Sequence, residues 1–160
     1  MARATAMILA AGRGERLRPL TDSMPKPLVE VAGKSLVVRQ IEALARAGHR
    51  DVAINASWLA QQLVDALGDG HAFGVRLHWS IEPEPLETAG GIATARPLLA
   101  DGPVLIVSGD IYTTFDYASL LPLADAMARQ PIPARVHLVL VPNPPYHPGG
   151  DFALVDGRLA

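Results

Sequence analysis

The sequence predicts an α/β fold, a Rossmann-like three-layer sandwich in which helices cover both faces of a mostly parallel central sheet. Short apolar runs alternate with longer segments of helical periodicity, which is typical of repeated β-α units. The chain has 160 residues, 49% of them hydrophobic, which suits a domain with a buried core. We therefore expect one domain over residues 1–160.

The strands are predicted at the short apolar runs, beginning with the run that precedes two glycines near the N-terminus. In chain order the candidates are Ala6–Ala10, Asp51–Asn55, Val75–Ser80, Val104–Val107 and Val136–Val141. Because helical segments separate them, we expect most neighbouring strands to pair in parallel.

The helices are predicted between these runs, at Ser35–Ala47, Ser57–Leu67, Thr88–Leu99 and Tyr117–Arg129. Leu36, Ile41 and Leu44 fall near one face of the first helix. Ser35 suits the N-cap of this helix, and Gly48 stands just past its end, as a C-cap residue should.

The end of the chain is predicted to form a hairpin. Phe152–Val155 has the composition of a strand, and Asp156-Gly157 is a strong hairpin turn. The return strand has only Arg158-Leu159-Ala160, which gives little pairing. We therefore expect the chain to lack the C-terminal portion of a complete domain, whereas Pro142–Gly150 is expected to be a surface loop.

Composition excludes several classes of protein. The net charge is −2 with no basic tract, which argues against nucleic acid as a partner. No apolar run is long enough to span a membrane, so no membrane partner is expected. The absence of cysteine excludes disulfides and thiolate metal sites, and a cytoplasmic location is the expectation. Nothing in the sequence indicates an oligomeric state.

The segment Leu9–Leu28 is the most informative part of the chain. The first predicted strand is followed by Gly12 and Gly14, and the cations Arg16 and Lys26 come after these glycines. Glycines let backbone N–H groups approach a ligand, and the cations neutralise a polyphosphate. The prolines on either side of Lys26 restrict the backbone and aim the side chain. The segment therefore predicts a triphosphate-binding loop.

Two better-known phosphate loops are excluded. The dinucleotide fingerprint needs a glycine where this chain has Leu17, which disfavours a dinucleotide-dependent oxidoreductase. Gly33-Lys34-Ser35 imitates the end of a P-loop, but the leading glycine of that motif is replaced by Leu28. We interpret Gly33-Lys34-Ser35 as the turn into a helix.

Three predicted strands end in residues that suit a binding site. The first ends at Ala11-Gly12, the second at Asn55 and the fourth at Ser108-Gly109-Asp110. In open parallel sheets, ligands bind beyond the carboxyl ends of the strands. We therefore expect these three ends to converge on one rim.

These motifs resemble a known family. The run Gly12-x-Gly14-x-Arg16-Leu17-x-Pro19-Leu20-Thr21, with Pro25-Lys26-Pro27-Leu28, resembles the signature of the sugar-phosphate nucleotidyltransferases, also called nucleotide-sugar pyrophosphorylases. The segment Glu84–Ile92 resembles the branch that transfers uridylyl groups to N-acetylmuramic acid 1-phosphate in cell-wall recycling. The resemblance runs from residue 6 to the end and implies the nucleotide-diphospho-sugar transferase fold.

The resemblance implies a reaction and roles for three residues. An oxygen of a sugar 1-phosphate attacks the α-phosphorus of a nucleoside triphosphate, UTP in this branch, and pyrophosphate leaves. Arg16 would stabilise charge on the departing pyrophosphate, and Lys26 would bridge the sugar phosphate and the α-phosphate. Asp110 would hold Mg²⁺, which takes few protein carboxylates. In the family a second aspartate nearer the C-terminus completes the metal site, and no residue of this chain is assigned to it.

The resemblance also implies binding residues. Those expected to contact the nucleotide are Ala10, Ala11, Gly12, Gly14, Glu82, Thr88, Ala89 and Gly90. Those expected to contact the second substrate are Asn55, Glu87 and Gly91, although Asn55 also suits a capping role and tight packing also explains Gly90-Gly91. Many relatives carry an amide at the position of Glu82, and relatives acting on glucose 1-phosphate often carry Gly at the position of Glu87. Trp58 and Trp79 are interpreted as packing residues.

Two alternatives remain at this point. The acceptor could be another sugar 1-phosphate, such as that of glucose or mannose. The chain could also be a non-catalytic sensor of nucleotide-sugars, which the early end of the chain favours and the presence of Arg16, Lys26 and Asp110 disfavours.

Overall fold

The computed structural model describes residues 3–129 and 136–159. The chain divides into two compact units, residues 1–130 and residues 131–160. In the first unit the strands are β1 (Ala6–Leu9), β2 (Glu30–Val31), β3 (Lys34–Ser35), β4 (Asp51–Ala56), β5 (Arg76–Ile81) and β6 (Leu105–Ser108). Its α-helices are α1 (Leu20–Ser23), α2 (Leu36–Arg46), α3 (Ala60–Leu67), α4 (Glu87–Ala95) and α5 (Leu121–Ala128). Short 3-10 helices lie at Glu15–Leu17, Lys26–Leu28, His71–Phe73, Arg96–Leu98 and Tyr117–Leu120.

The central sheet has four parallel strands in the order β5-β4-β1-β6. β1 therefore lies between β4 and β6, and Ile8 is in register with Ile54 on one side and Val107 on the other. All-parallel sheets need cover on both faces, which agrees with the apolar composition of these strands. The prediction of a parallel central sheet is confirmed.

Alternate side chains of β1 face two separate cores. Ile8 belongs to the core on one face, together with Ile41 of α2 and Leu63 of α3. Met7 belongs to the core on the other face, together with Ala95 at the end of α4. Since side chains along a strand point alternately to opposite faces, helices cover the sheet on both sides. The three-layer arrangement is thus as predicted.

Several predicted helix bounds are corrected by proline. The helix predicted over Thr88–Leu99 begins at Glu87 and changes to a 3-10 turn at Arg96–Leu98, because Pro97 has no N–H to continue the α-helical bonding. The helix predicted over Tyr117–Arg129 starts as a 3-10 turn, and its α-helical part begins only at Leu121, directly before Pro122.

Two further corrections concern helix starts. The helix predicted over Ser57–Leu67 begins at Ala60, after Leu59 adopts a left-handed backbone with φ of +52°. Ser35 occupies the predicted N-cap position of α2, but its side chain makes no capping hydrogen bond. Gly33 lies in the tight turn between β2 and β3 before Ser35 is reached. Gly48 has φ of +96° and follows α2 as predicted.

The second unit contains one small hairpin. β7 (Leu154–Val155) and β8 (Arg158–Leu159) pair around Asp156-Gly157, which confirms the predicted turn, while Ala160 lies outside the described residues. The strand predicted over Val136–Val141 is wrong. Val136 and Val141 are 82% and 78% exposed, and a segment forms a strand only where its backbone groups find a partner.

None of the helices in the described part of the chain has the length and apolar character needed to cross a bilayer.

Candidate active site

A cleft of about 630 Å³ lies at the carboxyl ends of β1, β4 and β6. Its lining residues come from the loop after β1, from Asn55, from the start of α4 and from the end of β6. The expectation that three strand ends converge on one rim is therefore confirmed. Each wall of the cleft belongs to the first unit.

Most of the predicted site residues line this cleft: Ala10, Ala11, Gly12, Gly14, Arg16, Lys26, Asn55, Glu87, Thr88 and Asp110. The predicted residues that lie outside its lining are Glu82, Ala89, Gly90 and Gly91. The lining also includes residues to which the sequence analysis assigned no ligand contact: Leu9, Arg13, Glu15, Pro27, Pro85 and Ser108. Arg13 lies between Gly12 and Gly14, and Glu15 follows Gly14. Their positions in the predicted binding loop could have identified them as lining residues.

Lys26 is positioned by close packing against the loop that follows β1 and contains Gly12 and Gly14, which we call the glycine loop. Gly14 has φ of +70°, and a Cβ atom there would lie 2.9 Å from Lys26 Cβ and 3.1 Å from Thr21 Cγ2. The Thr21 hydroxyl donates to the Gly14 carbonyl at 2.9 Å and holds this turn. A side chain at position 14 would therefore displace Lys26 as well as strain the backbone.

Lys26 and Asp110 form an ion pair inside the cleft. Lys26 Nζ donates to Asp110 Oδ2 at 2.5 Å, and the two side chains are 24% and 32% exposed. The contact joins the loop after α1 to the end of β6. The cation predicted to bind phosphate is thus held by the carboxylate predicted to bind metal.

Hydrogen bonds to the residues on either side of Asp110 hold its backbone in place. The N–H of Gly109 donates to the Leu9 carbonyl at 2.8 Å, which extends the β1–β6 pairing to the edge of the cleft. On the other side, Gln40 Nε2 donates to the Ile111 carbonyl at 3.0 Å, and the Tyr117 hydroxyl donates to Gln40 Oε1 at 2.6 Å. Burial raises the pKa of Tyr117, which keeps its hydroxyl a donor.

Arg13 and Arg16 bring two more guanidinium groups to the rim. The Arg13 guanidinium lies over the Trp58 ring, 4.2 Å from its centroid, and the indole N–H donates to the Thr21 carbonyl at 2.9 Å. Trp58 therefore supports a cation as well as packing. Arg16 is exposed on the 3-10 turn Glu15–Leu17.

A hydrogen-bonded chain that is buried except at its Leu86 end, where the residue is 42% exposed, lies beside the cleft. The N–H of Ala10 donates to Asn55 Oδ1 at 2.8 Å, and Asn55 Nδ2 donates to Glu82 Oε1 at 2.7 Å. The N–H of Leu86 donates to Glu82 Oε2 at 3.1 Å. Asn55 and Glu82 are 3% and 2% exposed. We call these four residues the buried bridge.

The start of α4 forms the wall opposite the glycine loop. Glu87 has φ of +57°, a left-handed conformation that favours glycine. Because α4 begins at Glu87, Gly91 lies past the first turn, where its N–H has an acceptor within the helix. The N–H of Gly91 is therefore used within the helix. A Cβ atom on Gly91 would lie 2.6 Å from Asn55 Nδ2, so tight packing explains this glycine.

The donor set of the cleft suits a hard divalent cation held mainly by substrate. Among the described residues, no group of three or more His, Cys, Asp or Glu side chains could hold a metal ion. Asp110 supplies one carboxylate at the cleft wall. Mg²⁺ is usually bound by one or two carboxylates together with phosphate oxygens and waters, so Asp110 fits such an ion.

Comparison with known proteins gives one family. The model of the nucleotidyl transferase family matches residues 5–146. The chain is 52% identical over 151 residues to the N-acetylmuramate alpha-1-phosphate uridylyltransferase of Neisseria meningitidis serogroup B, covering 94% of this chain and 64% of that protein. It is 41% identical over 118 residues to a mannose-1-phosphate guanyltransferase of Gibberella zeae, covering 72% of this chain and 32% of that protein. The chain thus spans less than two thirds of the length of either relative.

Solved structures give the same fold. HddC from Yersinia pseudotuberculosis, complexed with GMP-PN, matches with a TM-score of 0.66 at 28% identity, over 76% of this chain and 54% of that one. A putative glucose-1-phosphate thymidylyltransferase from Bacillus anthracis matches with a TM-score of 0.72, over 76% of this chain and 50% of that one. At 21% identity the second match shows the fold alone.

Proposed function

We propose, because the chain belongs to the nucleotidyl transferase family, that its cleft transfers a uridylyl group from UTP to N-acetylmuramic acid 1-phosphate. The observation that carries this proposal is the placement of Arg16, Lys26 and Asp110 in one cleft at the carboxyl ends of the strands. The 52% identity to the Neisseria relative, over 94% of this chain, supports the choice of nucleotide and acceptor.

The bonds that change are few. A phosphate oxygen of the sugar 1-phosphate forms a bond to the α-phosphorus of UTP. The bond from that phosphorus to the bridging oxygen of the β-phosphate breaks, and pyrophosphate leaves with the electron pair. Such transfers need in-line positioning and stabilisation of charge more than covalent help from the protein.

The cations of the cleft would supply that stabilisation. Lys26 would leave Asp110 and contact the sugar phosphate and the α-phosphate as a point charge. Arg16, exposed at the rim, would contact the β- and γ-phosphates and stabilise the leaving pyrophosphate. The backbone N–H of Thr88, in the first turn of α4 and in the lining of the cleft, would face the nucleotide from the opposite side.

Asp110 would hold Mg²⁺ through its carboxylate. When bound there, the ion would withdraw charge from the phosphate oxygens and so ease attack at phosphorus.

A second acceptor has one supporting observation. The 41% identity to the Gibberella zeae relative covers 72% of this chain, so mannose 1-phosphate belongs in any substrate panel. Glu87, at a position where glucose-specific relatives often carry Gly, favours the muramic acid derivative. Recycling of cell-wall sugars in the cytoplasm would be the setting, in agreement with the lack of cysteine.

The test is pyrophosphate release by the native gene product with UTP, Mg²⁺ and N-acetylmuramic acid 1-phosphate, beside the 1-phosphates of glucose and mannose. We expect the muramic acid derivative to be preferred. Lys26→Ala should lower turnover about 100-fold or more, whereas Lys34→Ala, whose side chain is paired with Glu42 at 2.7 Å, should not. UTP binding without release from any acceptor would favour a sensor. Absence of both would overturn the proposal.

A further inference from the structure

The buried bridge connects two walls of the cleft. Ala10 begins the glycine loop, whereas Leu86 directly precedes α4 and Glu87. Asn55 and Glu82 lie between them and join them through three hydrogen bonds of 2.8, 2.7 and 3.1 Å. Glu82 is 2% exposed and is not part of the lining of the cleft.

The direction of each hydrogen bond is determined by the backbone. The N–H of Ala10 can only donate, so it orients the Asn55 amide with Oδ1 toward β1 and Nδ2 toward Glu82. The N–H of Leu86 also can only donate. Glu82 is therefore faced by one donor on each of its two oxygens.

A carboxylate satisfies both donors, and an amide cannot. An ionised Glu accepts with both oxygens, whereas Gln has one accepting oxygen and one donating NH₂ group. With Gln at position 82, the NH₂ group would face either Asn55 Nδ2 or the Leu86 N–H. In either orientation two donors would face each other, and one hydrogen bond of the bridge would be lost.

We propose that Glu82 is a positioning residue: through Asn55 it holds the glycine loop and the start of α4 at a defined separation, and it does not contact the nucleotide. This inference rests on the proposed function, because the ligand that the two walls enclose is taken to be UTP. It replaces the nucleotide contact that the family resemblance implies for Glu82.

Exchanging the carboxylate and the amide between positions 82 and 55 tests the proposal. In Glu82→Gln alone the bridge is broken, and in Asn55→Asp alone two carboxylates face each other. In the double variant, the carboxylate introduced at position 55 would accept from the Ala10 N–H and from the NH₂ group of the amide introduced at position 82. The oxygen of that amide would accept from the Leu86 N–H. All bridge groups are then satisfied, with the same net charge as the wild type.

The test combines amide hydrogen exchange with equilibrium binding of UTP and Mg²⁺. We expect Glu82→Gln to speed exchange at the Ala10 and Leu86 amides and to weaken UTP binding about tenfold. The double variant should restore both to within about threefold of the wild type. Folding of each variant is checked by the amides of Val52 and Ala53 in β4, which are buried in the sheet.

The outcomes separate the possibilities. If Glu82 contacts the base, the double variant will stay defective, and Glu82→Gln will change the preference among UTP, CTP and GTP; that result overturns the proposal. If exchange at Ala10 and Leu86 is unaffected by Glu82→Gln, the bridge does not hold the walls, which also overturns it. If the wild type binds no nucleotide while the exchange pattern follows the swap, the proposed function fails and the bridge stands.

Discussion

Removal of the Asp110 carboxylate should strengthen binding of metal-free UTP. Lys26 Nζ is 2.5 Å from Asp110 Oδ2, so a nucleotide without metal has to break this ion pair before it can use Lys26. With side chains 24% and 32% exposed, the pair is partly screened by solvent. A charge-assisted hydrogen bond contributes about 1.5–3 kcal/mol, and we take the lower end for this pair.

That value converts to a change in affinity. About 1.4 kcal/mol corresponds to a tenfold change in a dissociation constant. Asp110→Asn should therefore tighten UTP binding about tenfold in the presence of EDTA. With Mg²⁺ present the sign should reverse, because the carboxylate that would hold the ion is gone.

The assay is isothermal titration of UTP into four proteins: wild type, Asp110→Asn, Lys26→Ala and the double variant. Loss of a negative charge near a triphosphate also aids binding, and this contribution does not need Lys26. The double-mutant cycle isolates the ion pair, with an expected coupling of about 1 kcal/mol or more. An equal gain from Asp110→Asn in both backgrounds would refute the reasoning, since Lys26 would then not be restrained by Asp110.

Three further changes test the structure. Gly91→Ala should lower stability by about 1–2 kcal/mol, because its Cβ would lie 2.6 Å from Asn55 Nδ2, while Gly102→Ala, with open space around it, should be neutral in thermal unfolding. Glu87→Gly should raise stability by about 0.5–1 kcal/mol, because φ of +57° strains a residue with a side chain, whereas Glu84→Gly should not. Burial lowers the pKa of His49, so the folded state disfavours its protonation, and stability should fall as pH decreases from about 7 to about 5. His49→Gln should flatten that part of the profile in urea unfolding.

Each of these expectations has a clear contrary result. Equal melting temperatures for Gly91→Ala and Gly102→Ala would mean that α4 has room to shift. A lower stability of Glu87→Gly would mean that the Glu87 side chain contributes more than its backbone strain costs. A pH profile unchanged by His49→Gln would show that other groups cause the loss of stability in acid.

The sequence predicted the parts of the fold that depend on local pattern. Apolar runs located the strands of the parallel sheet, and Gly12, Gly14, Arg16 and Lys26 predicted the glycine-loop side of the cleft. Asp110 was found because a strand end followed by glycine and aspartate is a local signal. The resemblance to the family added the residues at the start of α4.

What the sequence did not predict depends on long-range packing. The sequence did not reveal that Glu82 and Asn55 are buried and hydrogen-bonded to each other, with further partners on β1 and in the loop before α4. Tight packing was one of two interpretations of Gly91 from sequence, and the atom it packs against, Asn55 Nδ2, belongs to a distant strand. The apolar run Val136–Val141 was interpreted as a strand because composition does not reveal whether a partner is present.

The strand order has a consequence for how the protein is made. β1 lies between β4 and β6, so its two neighbours are synthesised long after it, and the cleft has all its walls only once Asp110 has left the ribosome. Parallel pairing between distant segments is slow, so the backbone groups of β1 stay unpaired until β4 and β6 have been synthesised. A nucleotide that binds only the finished cleft would favour the completed sheet by mass action. A nucleotide ligand would thus also aid the folding of nascent chains.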